Sequence, residues 1–250
     1  MIGSREWMNI NAGNLTFIEK IKFINQIIFP ISLSYAKSKV KASAPSSLDI
    51  KTVQLPDSNI IKNAVATLEH TQNTAIINHS WRCLFWSIAI AAHKNWKYDI
   101  EELALACLLH DIALVDHKDE FSGCQCFTYE SALRAEQLCE KHQYNEIKTA
   151  NISNAICLHM NGILNEKDSN LTKEVLLLQK ATSCDVIGTD LNLIGQNFQN
   201  QLLKQYPREN FNSQFKQLMQ HEITKHPNSR AAVLQKLGMN IMISFSFFKE

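Results

Sequence analysis

Glycine and proline are scarce in this 250-residue sequence, with seven and five residues, and long apolar runs are absent. With 45% hydrophobic and 20% charged residues, this scarcity is typical of a folded, helix-rich chain and excludes a disordered one. No stretch reaches the roughly 18 consecutive apolar residues of a membrane-spanning helix. We therefore expect no membrane segment, and the length fits one domain or at most two.

The sequence also lacks an excess of charge of either sign. Lys and Arg number 25, against 24 Asp and Glu, so no positive surplus favours a phosphate backbone. We expect no nucleic-acid partner and a small-molecule substrate instead.

The seven cysteines form neither a disulfide framework nor a zinc motif. Their number is odd, and Cys83, Cys107, Cys139 and Cys157 fall within apolar helical patterns, where a reduced thiol behaves as a small hydrophobe. The C-x-C motif at 124–126 has no second pair at metal-site spacing. These features predict a reducing compartment, the cytoplasm.

The two ends of the chain differ from its middle. Residues 1–52 are interpreted as an amphipathic N-terminal helix followed by a linker with proline and serine. The helix could pack onto its own chain or onto a second subunit, so a homo-oligomer stays open. Residues 53–237 form the predicted main domain, and 238–250 form an apolar C-terminal tail. The apolar stripe of the N-terminal helix consists of Leu15, Ile18, Phe23 and Ile27.

Apolar residues recur at helical spacing through the main domain, and strand-like alternation is nearly absent. The sequence therefore predicts an all-α fold. Asp99 and Asn145 stand at N-cap positions before two of the periodic segments. The predicted helices cover 58–70, 75–94, 99–110, 128–142, 146–160, 172–186, 191–205 and 210–225.

Ionisable residues interrupt the apolar faces of several predicted helices. His79, His110, His159 and Asp185 each share a helix face with apolar neighbours, so we expect all four to be buried. A single such histidine is more often a core residue bonded to a backbone carbonyl. Burying the carboxylates of Asp111 and Asp185 is costly unless a cation or strong donors meet them. One shared divalent metal would satisfy both carboxylates and orient the imidazoles.

His79, the pair His110-Asp111, and Asp185 occur in the order H…HD…D. This order resembles the HD superfamily of metal-dependent hydrolases, and the flanking residues look like its cyanamide hydratase branch. The resemblance runs from about residue 53 to residue 230. The segments that carry it are LPDS at 55–58, NHSWR at 78–82, CLLHDI at 107–112, AICLH at 155–159, ATSCDVIG at 181–188 and YPR at 206–208.

The resemblance implies an HD-domain helical bundle over 53–237, with the N-terminal helix added to it. It implies one divalent metal held by His79, His110, Asp111 and Asp185, with zinc as the first choice and iron or manganese as alternatives. It further implies that a metal-activated water adds to a small nitrile, such as cyanamide to give urea.

Other residues take roles from the same resemblance. Asp111, His159 and Arg82 are the catalytic candidates, with His159 assigned to proton transfer. Arg82 lies one turn after the first metal ligand, where it either orients an anionic group or forms a structural ion pair with a buried acid. Asn78 and Glu130 are the candidates for binding the substrate.

Two departures from the hydratase pattern bear on the substrate. Ala113, Leu114 and Val115 follow His-Asp-Ile where the hydratases resemble Gly-Thr-Thr, which removes hydroxyls expected beside the substrate. Ser131 and Ala132 stand where a glycine pair is usual. The sequence therefore supports the metal site more strongly than it supports cyanamide.

Two other functions stay open. An HD phosphohydrolase acting on a nucleotide or phosphoester would need basic residues around the site, for which Arg82, Lys118 and Arg134 are the candidates. A non-catalytic HD module that binds a ligand would be favoured by the loss of a metal ligand, and all four ligand positions are filled by competent residues.

Overall fold

Helices and short connections account for the whole fold that is described, which in this computed structural model comprises residues 1–38, 48–115 and 126–248. No strand occurs in these residues, so the predicted all-α class is confirmed. No helix among them combines the length and the apolar character that crossing a bilayer requires. The α-helices are α1 (Arg5–Asn11), α2 (Phe17–Ser38), α3 (Asn59–His70), α4 (Thr74–Lys94), α5 (Ile100–Leu109), α6 (Ile112–Val115), α7 (Phe127–Lys141), α8 (Glu146–Leu158), α9 (Lys173–Ile187), α10 (Gln196–Gln205), α11 (Phe211–Lys225), α12 (Arg230–Lys236) and α13 (Met239–Ser244).

Side-chain caps fix where the central helices begin. Asp99 accepts hydrogen bonds from two backbone amides in the first turn of α5, and Asn145 accepts one in the first turn of α8. Both caps were predicted from the sequence and are confirmed. Asn73 and Thr172 cap α4 and α9 in the same way. Each cap satisfies an amide that the helix leaves without an internal partner.

The segment predicted as one helix over 191–205 is divided in the structure. A 3₁₀ turn covers Leu191–Leu193, and α10 begins only at Gln196. Ile194 is extended and buried between them, and the side-chain amide of Gln199 donates to the carbonyls of Leu191 and Ile194 at 3.1 and 2.8 Å. The predicted start was wrong because this side chain satisfies carbonyls outside a helix.

The core places the later functional residues at helix ends. Helix α4 packs against α5 and α9, and α8 packs against α5, α7 and α9. The residues directly after α5 and α8, and the last turn of α9, therefore come together beside the first half of α4.

The N-terminal segment packs onto the body of its own chain. Leu15, Phe23 and Ile27 of the predicted stripe are buried in the main core, whereas Ile18 is 65% exposed. Helix α1 was not predicted from the sequence. It is held by Arg5, whose guanidinium donates to both carboxylate oxygens of Glu136.

The C-terminal tail also packs onto the body. It contains α13, and Ile243 and Phe248 are buried. The division of the chain into 1–52, 53–237 and 238–250 stays a prediction.

Replacement of Gly3 tests how tightly the N-terminus docks. Gly3 is buried at φ +81°, and a Cβ atom there would overlap the side chains of Arg230 and Asn161. We expect Gly3→Ala to lower the free energy of unfolding by about 1–3 kcal/mol, because backbone strain and overpacking add. The control Gly238→Ala shares a positive φ, +91°, but meets nothing closer than Ile241 at 3.7 Å, and should lose about 1 kcal/mol. Equal losses in urea denaturation would contradict the tight docking.

Candidate metal centre

Five ionisable side chains from different helices form one buried cluster. His79 lies in α4, His110 and Asp111 lie between α5 and α6, His159 follows α8, and Asp185 lies in the last turn of α9. None is more than 5% exposed, so the predicted burial is confirmed. Such a concentration of buried ionisable groups requires a physical reason, since each is costly to remove from water.

Potential ligand atoms converge at the centre of this cluster. The Nε2 atoms of His79 and His110 lie 3.3 Å apart, and Asp111 Oδ2 lies 3.5 and 3.3 Å from them. His159 Nε2 approaches from another side, 3.5 Å from Asp111 Oδ1. Four side chains thus present ligand atoms within a short distance of one another.

Backbone carbonyls orient two of the imidazoles. His110 Nδ1 lies 2.8 Å from the carbonyl of Cys107, and His159 Nδ1 lies 2.7 Å from that of Ile156. A carbonyl only accepts, so each Nδ1 donates a proton, and each Nε2 is directed into the cluster. This arrangement is typical of metal-binding histidines.

One carboxylate oxygen in the cluster has no hydrogen-bond partner. Asp111 Oδ1 is buried and accepts no hydrogen bond, which is costly unless a cation meets it. His110, Asp111 and His159 offer ligand atoms that all lie within 4.8 Å of one another, as do His79, Cys83 and His110. Imidazole nitrogens with a carboxylate are a donor set that suits zinc, iron or manganese. The residues therefore fit a divalent metal.

Asp185 lies at the edge of this cluster, behind the His79 imidazole. Its Oδ1 accepts from Arg82 Nε and Trp86 Nε1, both at 2.8 Å, and its Oδ2 lies 2.8 Å from Arg82 Nη2 and 2.7 Å from His79 Nδ1. A carboxylate has about four lone-pair sites, and these contacts use all of them. In this geometry Asp185 orients His79 and turns its Nε2 inward. Metal ligation by Asp185 stays a prediction.

The electrostatics of the cluster follow from burial and ion pairing. Burial opposes the charged form of Asp185, but Arg82 and Arg208 hold its pKa well below the ordinary value. Burial likewise opposes the charge of Asp111, yet His110 keeps its pKa low. Burial lowers the pKa of His159 to about 3, so this imidazole is neutral at pH 7.

Arg82 forms the buried ion pair that was one of its two roles left open by the sequence, and a catalytic role for it stays a prediction. Besides its two bonds to Asp185, its Nη1 donates to the carbonyls of Tyr206 and Pro207 at 3.3 and 3.0 Å, and the side chain is fully buried. The sequence did not predict two further residues, Trp86 and Arg208, that donate hydrogen bonds to Asp185. Trp86 lies one turn further along the same face of α4, and Arg208 Nη1 donates to the carbonyl of Asp185 at 3.1 Å.

The predicted substrate-binding residues lie away from the cluster. Asn78 donates to the carbonyl of Pro207 at 2.9 Å and is half-buried. Glu130 is buried in α7 and accepts from Arg134 Nε at 3.1 Å. The structure does not bring Asn78 or Glu130 to the cavity beside the cluster.

That cavity has a volume of about 180 Å³. Among the residues that the structure describes, its wall includes no Lys or Arg, and Lys118 lies outside the described residues. Ala113 and Leu114, which follow the His-Asp-Ile motif, are buried in an apolar cluster that also contains the cavity residues Ile187, Phe215 and Met239. The cavity is lined by Ile27, His79, His110, Asp111, His159, Met160, Gly162, Thr182, Ser183, Val186, Ile187, Phe215, Leu234, Leu237, Met239 and Met242.

Comparison with known proteins agrees with this geometry. Residues 76–187, which include every member of the cluster, match the family model of the HD domain. Two cyanamide hydratases of Saccharomyces cerevisiae, DDI2 and DDI3, are each 28% identical over 154 residues. The match covers 61% of this chain and 67% of each relative.

Replacement of Asp185 tests the buried ion pair. Asp185→Asn leaves Arg82 buried without its charged partner, so the free energy of unfolding of metal-free protein should fall by about 3–5 kcal/mol at pH 7. Urea denaturation measures the loss. Asp57→Asn, which breaks the exposed pair with Lys62, is the control and should change stability little.

The pH dependence of the free energy of unfolding provides a second test of the ion pair between Asp185 and Arg82. Because the pKa of Asp185 is below 3.8 in the folded chain, its contribution is present above pH 3.8 and is lost as the pH falls further. The wild type should therefore lose more stability than Asp185→Asn between about pH 5 and about pH 3. Parallel pH profiles would contradict the proposed pairing.

Proposed function

Because this chain carries an HD domain and resembles the cyanamide hydratases, we propose that it is a metal-dependent enzyme that adds water to a small nitrile, as in the conversion of cyanamide to urea. The observation that carries this proposal is the convergence of three Nε2 atoms on Asp111 beside a cavity. Asp111 Oδ1 accepts no hydrogen bond, so a metal ion at this point would supply the cation that the buried oxygen lacks.

His79, His110 and Asp111 would hold the metal, and Asp185 is the further ligand that the resemblance predicts. Zinc is the proposed ion, with iron or manganese as alternatives. When bound, a divalent metal supplies Lewis acidity that lowers the pKa of water from 15.7 to about 7. The imidazole of His79 keeps its orientation because Asp185 accepts from its Nδ1 at 2.7 Å.

His159 is the proposed proton carrier. Its Nδ1 donates to the carbonyl of Ile156, and its Nε2 is directed into the cluster, where it takes a proton from the attacking water. The oxygen of that water forms the new bond to the nitrile carbon. The proton then passes from His159 Nε2 to the nitrile nitrogen, which gives an imidic acid. Transfer of the remaining hydroxyl proton to the same nitrogen yields the amide, or urea when the substrate is cyanamide.

Arg82 and Trp86 act through Asp185. Neither lines the cavity, and both donate to the carboxylate that orients His79. We therefore assign Arg82 as a positioning residue. Asn78 and Glu130 remain candidates for substrate binding by resemblance alone.

The phosphohydrolase alternative has less support. Within the part of the chain that the structure describes, no cationic side chain lines the cavity, and Arg82 is committed to Asp185 and two carbonyls. Phosphate transfer requires such charges around the phosphoryl oxygens. A non-catalytic ligand-binding module is disfavoured because His79, His110, Asp111 and Asp185 are all present.

The cellular setting is also a proposal. The six cysteines within the described ranges are free and buried, which agrees with a reducing compartment such as the cytoplasm. The substrate is proposed to be a small molecule. Assembly into a homo-oligomer remains a prediction.

Metal content and urea release together test the proposed function. Purified wild-type protein should hold about one divalent metal per chain and release urea from cyanamide, since the ligand set is complete. Asp111→Asn should lose both, because it removes the anionic ligand. Glu102→Gln, which alters a buried carboxylate at the opposite end of α5, is the matched control and should keep both. Bound metal without urea release would overturn the hydratase proposal.

Replacement of His159 tests its role separately. His159→Gln should lower turnover by about 10²–10⁴-fold, because it removes a group that accepts and returns a proton. The variant should retain its metal, measured by elemental analysis. His142→Gln, at the C-terminal end of α7, is the control. Unchanged turnover would refute proton transfer by His159, and loss of the metal would instead make His159 a ligand.

A further inference from the structure

Beyond the ionisable cluster and the hydroxyl residues Thr182 and Ser183, the cavity wall is apolar. Methionines supply three of its side chains, Met160, Met239 and Met242, and Phe215 and Leu237 lie beside them. Flexible thioether side chains fit hydrocarbon groups of varied shape. This wall has the character of a binding surface for an apolar group.

Much of the wall comes from segments outside the matched HD region at 76–187. Helix α11 provides Phe215, α12 and the turn after it provide Leu234 and Leu237, and α13 provides Met239 and Met242. The residues that hold the metal and those that would contact the rest of the substrate therefore lie in different parts of the chain.

The hydroxyl groups of Thr182 and Ser183 on the wall both contact Gln179 within α9. Thr182 donates to the carbonyl of Gln179 at 3.0 Å, and Ser183 accepts from the side-chain amide of Gln179 at 3.1 Å. A polar group of a ligand placed against the methionines would lose bonds to water without replacing them. The wall therefore favours hydrocarbon over an amino group such as that of cyanamide.

The volume of the cavity limits the size of the ligand. An apolar protein cavity of about 150 Å³ binds benzene, whereas pockets for drug-sized ligands begin at about 300 Å³. The cavity here, of about 180 Å³, therefore suits a hydrocarbon group of about the size of benzene or smaller.

From these observations we infer that the preferred substrate is a nitrile with a small hydrocarbon substituent. The nitrile lies at the cluster of His79, His110, Asp111 and His159, and the substituent lies along the wall formed by α11 to α13. This inference rests on the proposed function. The reaction consumes one nitrile and one water and yields one carboxamide, so it needs no oxidant, reductant or other co-reactant.

A series of straight-chain nitriles from acetonitrile to pentanenitrile tests the inference. Each added methylene that packs against the wall is removed from water, so it should raise kcat/KM about fourfold in metal-loaded protein. Met242→Gln should flatten this increase, because it places an amide on the wall. Ile241→Gln changes the neighbouring residue of α13, which is 64% exposed, and should leave the increase unchanged.

Calorimetric binding of pentanenitrile and cyanamide separates this inference from the proposed function. Hydration of cyanamide without any increase along the nitrile series would overturn the inference and leave the hydratase function standing. Tighter binding of pentanenitrile than of cyanamide, with neither hydrated, would support the apolar ligand class and refute the hydratase function. Binding of neither compound would overturn the inference.

Discussion

The buried carboxylate of Asp185 is the group on which the rest of the site depends. Arg82 donates to both of its oxygens. Trp86 also donates to Oδ1, and Oδ2 lies 2.7 Å from His79 Nδ1. These contacts join α4 to α9, and Arg82 also reaches the backbone between α10 and α11. Breaking one side of such a pair leaves a buried charge uncompensated. The cost of doing so keeps Asp185 in place, and the contact of Asp185 with Nδ1 keeps the His79 imidazole in one orientation.

The positions of the other candidate ligands depend on helix ends. His110 and His159 each stand directly after a helix and donate through Nδ1 to a carbonyl of its last turn. The same contact supplies a partner for a carbonyl that the helix leaves unpaired and directs Nε2 toward Asp111. Helix termination and ligand orientation are thus one feature of the structure. The C-terminal helices then line the cavity with apolar side chains, so the candidate metal ligands and this apolar wall lie in different parts of the chain.

Local patterns in the sequence were enough to predict much of this. Apolar spacing predicted the central helices and the burial of His79, His110 and Asp185, because a core-facing stripe repeats with the helical turn. The start of α10 could not be predicted, since it depends on a side-chain contact of Gln199. The sequence left open whether Arg82 pairs with a buried acid, but it did not identify Asp185 as that acid or Trp86 as a second donor. These groups meet only after α4 and α9 pack. The cavity wall depends on distant segments in the same way.

The central claim is that a divalent metal binds where His79, His110 and Asp111 meet. Anomalous diffraction from crystals grown with zinc, measured on both sides of the zinc absorption edge, tests it most directly. The account predicts one edge-dependent peak per chain in contact with the Nε2 atoms of both histidines and with the Asp111 carboxylate. The absence of a peak at these side chains, or a peak only elsewhere in the chain, would contradict it.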